Sequence, residues 1–154
     1  MGAPMFRTAE RADVPAILAL LADDEISRSR GTVTEQADAA VWAAFEQIDA
    51  DPNNELIVGD DGEIIATCQL TVIPGLSRGG ATRMTIEAVR VRADRRGAGL
   101  GRALMAYALQ RAQEQGVTLV QLTTDKRRTD AKRFYESLGF TASHEGMKLA
   151  VDPA

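Results

Sequence analysis

Cysteine, histidine and aromatic residues are scarce in this chain of 154 residues. Cys68 is the single cysteine, so no disulfide can form within the chain, and His144 is the single histidine. Because a zinc site brings together about four cysteine, histidine or carboxylate ligands, we expect no metal. A serine or cysteine hydrolase is also disfavoured, since the sequence has no Gly-x-Ser-x-Gly motif and Cys68 lies inside a strand pattern.

Long apolar runs are absent as well. No run of roughly 18 apolar residues and no signal-peptide pattern occurs, so we expect a cytoplasmic protein with no membrane partner. The net charge of −4, from 18 basic and 22 acidic residues, provides no basic field that would attract nucleic acid. The length predicts one domain over residues 1–154, with its core at about residues 5–150.

Glycine and arginine are concentrated in residues 89–102, where an apolar strand end, a basic turn and an amphipathic helix follow one another. Gly97, Gly99 and Gly101 alternate there, and Arg95, Arg96 and Arg102 surround them. Glycine lets the backbone approach a ligand closely, and a helix start directs N–H groups and positive dipole toward an anion. The segment is either a phosphate site or an ordinary turn with solvated arginines, and the spacing favours the phosphate site.

The spacing also narrows the class of phosphate ligand. Neither the G-x-G-x-x-G dinucleotide fingerprint nor the P-loop motif is present. The pattern R-x-x-G-x-G, from Arg96 to Gly101, resembles the coenzyme A pyrophosphate motif of the GNAT superfamily of acyl-CoA-dependent N-acyltransferases. Residues 128–140, which end in Phe-Tyr-x-x-x-Gly-Phe, are similar to a later motif of the same superfamily. The resemblance covers the chain from about Met5 to about Ala150.

Apolar periodicity and turn residues predict the order of the elements. The first part of the chain has a strand at 6–9, a helix with Pro15 in its first turn, a helix capped by Thr32 and Glu35 that runs to Ile48, and a hairpin around Asp60–Gly62. The second part has a strand from Thr82, a helix at Leu100–Gln115, a strand at 117–124, a helix stopped by Gly139, and short strands near His144 and at 147–150. In the strand from Thr82 the apolar phase slips between Ile86 and Val89, which predicts a bulge.

The resemblance implies an α/β fold. Its mixed, mostly antiparallel sheet of seven strands is splayed between strands 4 and 5, with about four helices, and the pantetheine arm lies in the opening. The co-substrate implied is acetyl-CoA. The implied cofactor-binding residues are Val89, Arg90, Val91, Arg96, Gly97, Ala98, Gly99, Leu100, Gly101, Arg102, Thr124 and Phe134.

Two residues are the catalytic candidates. By resemblance, Tyr135 is the general acid that protonates the leaving thiolate, although it is also suited to be a core aromatic. Glu87 interrupts an apolar strand just before the expected bulge, where a buried carboxylate would be the general base; the alternative is a solvated or ion-paired group. The resemblance also assigns the Val89 amide to the thioester carbonyl. Many family members have an asparagine where this chain has Arg128, and Thr124, Asp130 or water are the alternatives for its role.

The resulting functional hypothesis is an N-acetyltransferase that moves an acetyl group from acetyl-CoA directly to a primary amine. The alternative is a non-catalytic acyl-CoA sensor or interaction module on the same fold. The acceptor is left open among small-molecule and peptide amines, and the oligomeric state between a monomer and a homodimer. The acidic run Asp23–Glu25 is either a solvated helix end or an attraction for a cationic amine.

Overall fold

The computed structural model describes residues 3–24, 26, 29 and 36–154, which form an α/β structure of five strands and five helices. The strands are β1 Met5–Thr8, β2 Asn54–Asp60, β3 Ile64–Ile73, β4 Arg83–Val91 and β5 Leu119–Leu122. The helices are α1 Val14–Ala22, α2 Ala39–Ala50, α3 Ser77–Gly80, α4 Leu100–Glu114 and α5 Thr129–Ser137, of which α3 is a single turn with positive φ angles at Arg78, Gly79 and Gly80. The chain divides into two compact units, Met1–Leu122 and Thr123–Ala154. The expectation of a single domain stays a prediction.

The first unit contains one mixed sheet with the strand order β1-β2-β3-β4-β5. Successive strands from β1 to β4 pair antiparallel, and the predicted hairpin between β2 and β3 is present. β4 and β5 pair parallel, because α4 carries the chain back across the sheet between them. The mixed α/β class is therefore confirmed, but seven strands are not: the described residues contain five.

The two short strands expected near His144 and at 147–150 account for the difference. Residues 141–154 carry no strand, and all of them are exposed. Met147, Leu149 and Val151 alternate as a strand pattern requires, yet their side chains are 91%, 88% and 81% exposed. Alternation describes only the side chains of a strand. A strand also needs a partner for its backbone hydrogen bonds, which the pattern cannot supply.

The second helix begins later than expected. Residues 37 and 38 are not helical, and α2 starts at Ala39, where the Asp38 side chain accepts a hydrogen bond from the Val41 amide at 3.0 Å. Asp38 therefore provides the N-cap that the sequence analysis assigned to Thr32. Thr32 and Glu35 lie outside the described residues.

The core of the first unit lies between the sheet and its helices. Apolar residues of β2, β3 and β4 are buried against residues of α1 and α4, and the fully buried large side chains are Ile57, Val58, Ile65, Leu70, Met84, Ile86, Leu104 and Met105. Burial of this apolar surface is the main force that fixes the sheet and the start of α4. Within the described ranges, no helix is both long and apolar enough to cross a membrane.

An ion-pair cluster joins β1 to the 3₁₀ turn Arg11–Asp13, which directly precedes α1, and to the β2–β3 hairpin. Arg7 donates to both carboxylate oxygens of Asp13, at 2.7 and 3.1 Å, and to Asp60 at 3.0 Å. Asp13 also accepts the Glu10 amide at 2.7 Å. The hydrogen bond from Arg7 is the main reason that the pKa of Asp13 lies below its ordinary value of 3.8.

We therefore expect Asp13→Asn to lower the free energy of unfolding near pH 7 by about 1–3 kcal/mol. A lowered pKa in the folded state means that the contribution of the carboxylate is present above pH 3.8 and is lost as the pH falls below it. Urea unfolding at pH 7 and near pH 3 measures both effects, with Asp49→Asn on the exposed side of α2 as the control. An equal loss at both pH values would show that the charge of Asp13 is not responsible.

Candidate functional site

The predicted bulge is present in the middle of β4. Glu87 lies opposite Gln69 and Arg90 lies opposite Thr67, so Ala88 and Val89 together face the single residue Cys68 on β3. Ala88 has a φ of 54°, which is uncommon for a residue with a Cβ. This backbone twist lets apolar positions on both sides of the slip remain at least partly buried, as the sequence required.

From Glu87 onward, β4 has no pairing with β5 within the first unit. The β4–β5 pairs run from Arg83 and Leu119 to Ile86 and Leu122, where β5 ends. Glu87 is therefore the first residue of β4 past the last pair, and its side chain is exposed rather than buried as the general-base assignment expected. Val89, Arg90 and Val91 follow it and are half-buried. Within the first unit, this edge leaves backbone groups of β4 available to an extended ligand, in the manner of strand addition.

A glycine-containing loop then joins β4 to α4. A 3₁₀ turn at Ala93–Arg95 is followed by Gly97 and Gly99, with φ angles of 82° and 80°. Gly99 is the N-cap of α4, and its carbonyl accepts the Ala103 amide at 3.0 Å. Both left-handed positions favour glycine, which explains why the sequence repeats it here. A Cβ added at either position would meet no other atom within 4 Å, so the space beside the loop is open.

At the start of α4, one side chain is buried in the core and the neighbouring residues are exposed. Leu100 is buried at 7% exposure, while Gly97, Ala98, Gly99 and Arg102 are exposed. The amides of Leu100 and Gly101 lie in the first turn, where no carbonyl of a preceding turn can accept them. An exposed helix start of this kind is suited to bind an anion through backbone N–H groups and the helix dipole.

Two arginines of this segment, Arg96 and Arg95, have different partners. Arg96 is exposed and its Nε donates to the Val91 carbonyl at 3.2 Å, which ties the loop to the end of β4. Arg95 instead pairs with Asp61 of the β2–β3 hairpin at 2.6 Å, with side-chain exposures of 19% and 9%. The sequence analysis grouped Arg95 with the anion-binding charges, whereas the structure gives it a carboxylate partner. The hydrogen bond that Arg95 donates to the Asp61 carboxylate is the main cause of the lowered pKa of Asp61.

The second unit carries the remaining candidates. Tyr135 and Phe134 are half-buried on α5, with ring centroids 5.3 Å apart, and the Tyr135 ring lies 5.9 Å from that of Phe140. Gly139 ends this helix with a φ of 101°, as expected. Thr124 is half-buried in the segment that precedes α5. Arg128 occupies the N-cap position, where its backbone carbonyl accepts the Lys132 amide at 3.1 Å.

The sequence analysis did not anticipate that two acidic residues pair with arginines of β4 and of the loop after it. Asp61 was interpreted only as a turn residue, and Asp24 only as part of an acidic run. The structure pairs Asp61 with Arg95 and Asp24 with Arg90. Glu25, the last residue of that run, lies outside the described residues. Among the residues that the structure describes, no group of three His, Cys, Asp or Glu side chains is placed to hold a metal ion.

Comparison with curated proteins gives two informative similarities. The chain is 35% identical over 88 residues to glucosamine 6-phosphate N-acetyltransferase of Trypanosoma brucei brucei, over 57% of this chain and 58% of that protein. It is 32% identical over 115 residues to mycothiol acetyltransferase of Sanguibacter keddieii, over 75% of this chain and 36% of that protein. The chain thus spans less than two thirds of the length of each of these curated relatives.

A solved structure of a transcriptional regulator from Bacillus halodurans is similar over nearly its whole length. It superposes with a TM-score of 0.91 and 44% identity, over 96% of this chain and 99% of that one. Residues 16–140 match the family model of the Acetyltransferase (GNAT) family, and this range includes the β4 bulge, the glycine loop and α5. The chain therefore belongs to the GNAT acetyltransferase family.

Proposed function

We propose that this protein is an N-acetyltransferase that moves an acetyl group from acetyl-CoA to the primary amine of a small molecule. The observation that carries the proposal is the continuous arrangement of the β4 bulge, the open glycine loop and the exposed start of α4. Family membership supports the same reaction class. The two named relatives are acetyltransferases whose names contain small molecules, which supports a small acceptor over a peptide.

The residues of the loop fit a diphosphate. The open space beside Gly97 and Gly99 admits phosphate oxygens close to the backbone, where a side chain would otherwise stand. The amides at the start of α4 would hold those oxygens, with Arg96 and Arg102 adding positive charge beside them. The backbone of β4 at Val89, Arg90 and Val91 would bind the pantetheine arm, and Thr124 and Phe134 keep the coenzyme-binding role that the resemblance implies. When bound, acetyl-CoA supplies an activated acetyl thioester.

The reaction forms an N–C bond to the acetyl carbon and breaks the C–S bond. The amine nitrogen loses a proton and the sulfur gains one, so one group must accept a proton and another must donate one. We assign the acceptor role to Glu87, whose exposed carboxylate lies at the point where β4 and β5 stop pairing. We assign the donor role to Tyr135, and the polarisation of the acetyl carbonyl to the Val89 amide.

A thiol-release screen tests the proposal. Purified protein is mixed with acetyl-CoA and a panel of amines that includes glucosamine 6-phosphate, other amino sugars, polyamines, amino acids and peptides. Coenzyme A release that requires both protein and one class of small amine is the expected result, and mass spectrometry should detect the acetylated amine. Calorimetry that shows no binding of acetyl-CoA would overturn the proposal.

A second function is supported by one observation. The Bacillus halodurans protein, similar over 96% of this chain, is described as a transcriptional regulator. The alternative is that this chain is a sensor. It would bind an acyl-CoA without transferring the acyl group, and the bound state would be recognised by a partner. Tight binding of acetyl-CoA by calorimetry, together with no thiol release across the whole amine panel, would support the sensor over the enzyme.

The Asp61–Arg95 pair gives a prediction about acetyl-CoA affinity. It holds the 3₁₀ turn before the glycine loop against the β2–β3 hairpin, so Asp61→Asn should leave the loop less ordered before it binds. We expect the Kd for acetyl-CoA to rise roughly fivefold, because preorganisation is lost. Isothermal titration calorimetry measures this. Glu63→Gln, which alters an exposed carboxylate paired with Arg92, is the control, and an equal rise in both variants would exclude a specific role for Asp61.

A further inference from the structure

Arg90 is the first residue after the bulge that regains a partner on β3, and its side chain turns back toward its own strand. One guanidinium nitrogen, Nη1, donates to the Val89 carbonyl at 2.8 Å. The other, Nη2, lies 3.3 Å from the Asp24 carboxylate, and the two side chains are only 16% and 12% exposed. The guanidinium thus bonds to the bulge on one side and to a carboxylate at the end of α1 on the other.

The bulge needs such support because its backbone is unfavourable by itself. Ala88 occupies the left-handed region, and a residue with a Cβ stays there only when surrounding contacts hold it. Each peptide group is planar, so a bond that fixes the Val89 carbonyl fixes the whole Val89–Arg90 peptide. Only rotation about the two backbone bonds of Val89 then separates that fixed peptide from the Val89 N–H.

Asp24 is a fixed anchor for the guanidinium. Its amide donates to the Ala22 carbonyl at 2.9 Å, and the preceding amide of Asp23 donates to Ala19 at 3.1 Å, so the backbone at the end of α1 is held by the helix. An ion pair that is largely shielded from water is stronger and more restrictive than an exposed one. The Arg11–Glu46 pair has the same 3.3 Å separation, but its side chains are 59% and 68% exposed.

We propose that Asp24 and Arg90 are positioning residues that hold the backbone of Val89, and with it the Val89 N–H, in the orientation used during acetyl transfer. The inference rests on the proposed function, because the reaction assigns the Val89 amide to the acetyl carbonyl. The Asp24–Arg90 ion pair also joins the end of α1 to β4, the strand that would bind the thioester. Loss of the pair should therefore affect the chemical step more than the binding of acetyl-CoA, which depends on the glycine loop as well.

The test uses the full chain with Asp24→Asn, Arg90→Met and Arg90→Lys, and with Arg11→Met and Glu46→Gln as matched controls. We expect kcat to fall about tenfold in Asp24→Asn and Arg90→Met, while KM for acetyl-CoA changes less than about twofold. Arg90→Lys keeps the charge and should recover part of kcat. In the protein without acetyl-CoA, hydrogen exchange of the amides at 88–91 should become faster in the first two variants and stay unchanged in the controls.

The outcomes separate this proposal from the proposed function. If the native protein transfers acetyl groups and kcat is the same in Asp24→Asn and Arg90→Met, the positioning role is wrong and the enzyme assignment stands. If kcat, KM and Tm all worsen and Arg90→Lys recovers nothing, the pair is structural only and the proposal is overturned. If the native protein neither binds acetyl-CoA nor transfers the acetyl group, the proposed function has failed, and the positioning role in the reaction fails with it.

Discussion

Replacement of Gly99 by leucine should weaken acetyl-CoA binding at least about a hundredfold. Gly99 has a φ of 80° at the N-cap of α4, and its missing Cβ leaves open space beside the loop. A leucine side chain there would fill the space that the diphosphate is proposed to occupy, close to the first amides of the helix. Isothermal titration calorimetry with acetyl-CoA measures the loss, and thermal unfolding measures the cost to the fold.

Gly116 provides a matched control at the other end of the same helix. It also has a left-handed φ, of 70°, and a Cβ added there would meet no atom within 4 Å. Leucine at either glycine should therefore cost a similar amount of stability, about 1–2 kcal/mol for the left-handed backbone. Only Gly99→Leu should lose acetyl-CoA binding. Full binding by a folded Gly99→Leu variant would show that the diphosphate lies elsewhere.

Replacement of Tyr135 by phenylalanine should lower kcat about a hundredfold while the Kd for acetyl-CoA changes little. Phenylalanine keeps the ring that lies 5.3 Å from Phe134 and 5.9 Å from Phe140, so the packing of α5 is retained. The hydroxyl group alone is removed, and with it the proposed proton donor to the leaving sulfur. Steady-state thiol release gives kcat, and calorimetry gives the Kd.

Tyr107 is the other tyrosine of this chain and serves as the control. It lies on α4, half-buried, with its ring 5.5 Å from that of Phe6. Tyr107→Phe should leave kcat nearly unchanged, because no role in the reaction is proposed for its hydroxyl. Unchanged turnover in Tyr135→Phe, or an equal fall in both variants, would remove Tyr135 from the mechanism.

The parts of this site that the sequence predicted are those determined locally. The slip of the apolar phase between Ile86 and Val89 predicted the bulge. Successive side chains of a strand point to opposite faces, so an extra residue is needed to keep both apolar sets on the buried face. The repeated glycines predicted a loop with left-handed positions, and Gly97 and Gly99 adopt them. Both signals depend only on neighbouring residues, so one sequence is enough to detect them.

Contacts between distant segments were not predictable in the same way. Arg90, Arg95 and Arg96 belong to one basic run, yet they bond to Asp24, to Asp61 and to a backbone carbonyl respectively. Which carboxylate approaches which arginine depends on how α1 and the β2–β3 hairpin lie on the sheet, which composition does not encode. The prediction of two strands after Tyr135 was wrong for a related reason. Alternation of apolar residues does not supply the partner strand that pairing requires.

The burial of Cys68 opposite the bulge has a practical consequence. Its side chain is 0% exposed, and burial raises the pKa of its thiol to about 12, so almost none of it is thiolate at neutral pH. Disulfide reagents react with thiolate, and this chain has no second cysteine. Colorimetric detection of free coenzyme A should therefore have no background from the folded protein, and slow colour development without acetyl-CoA would report unfolding instead.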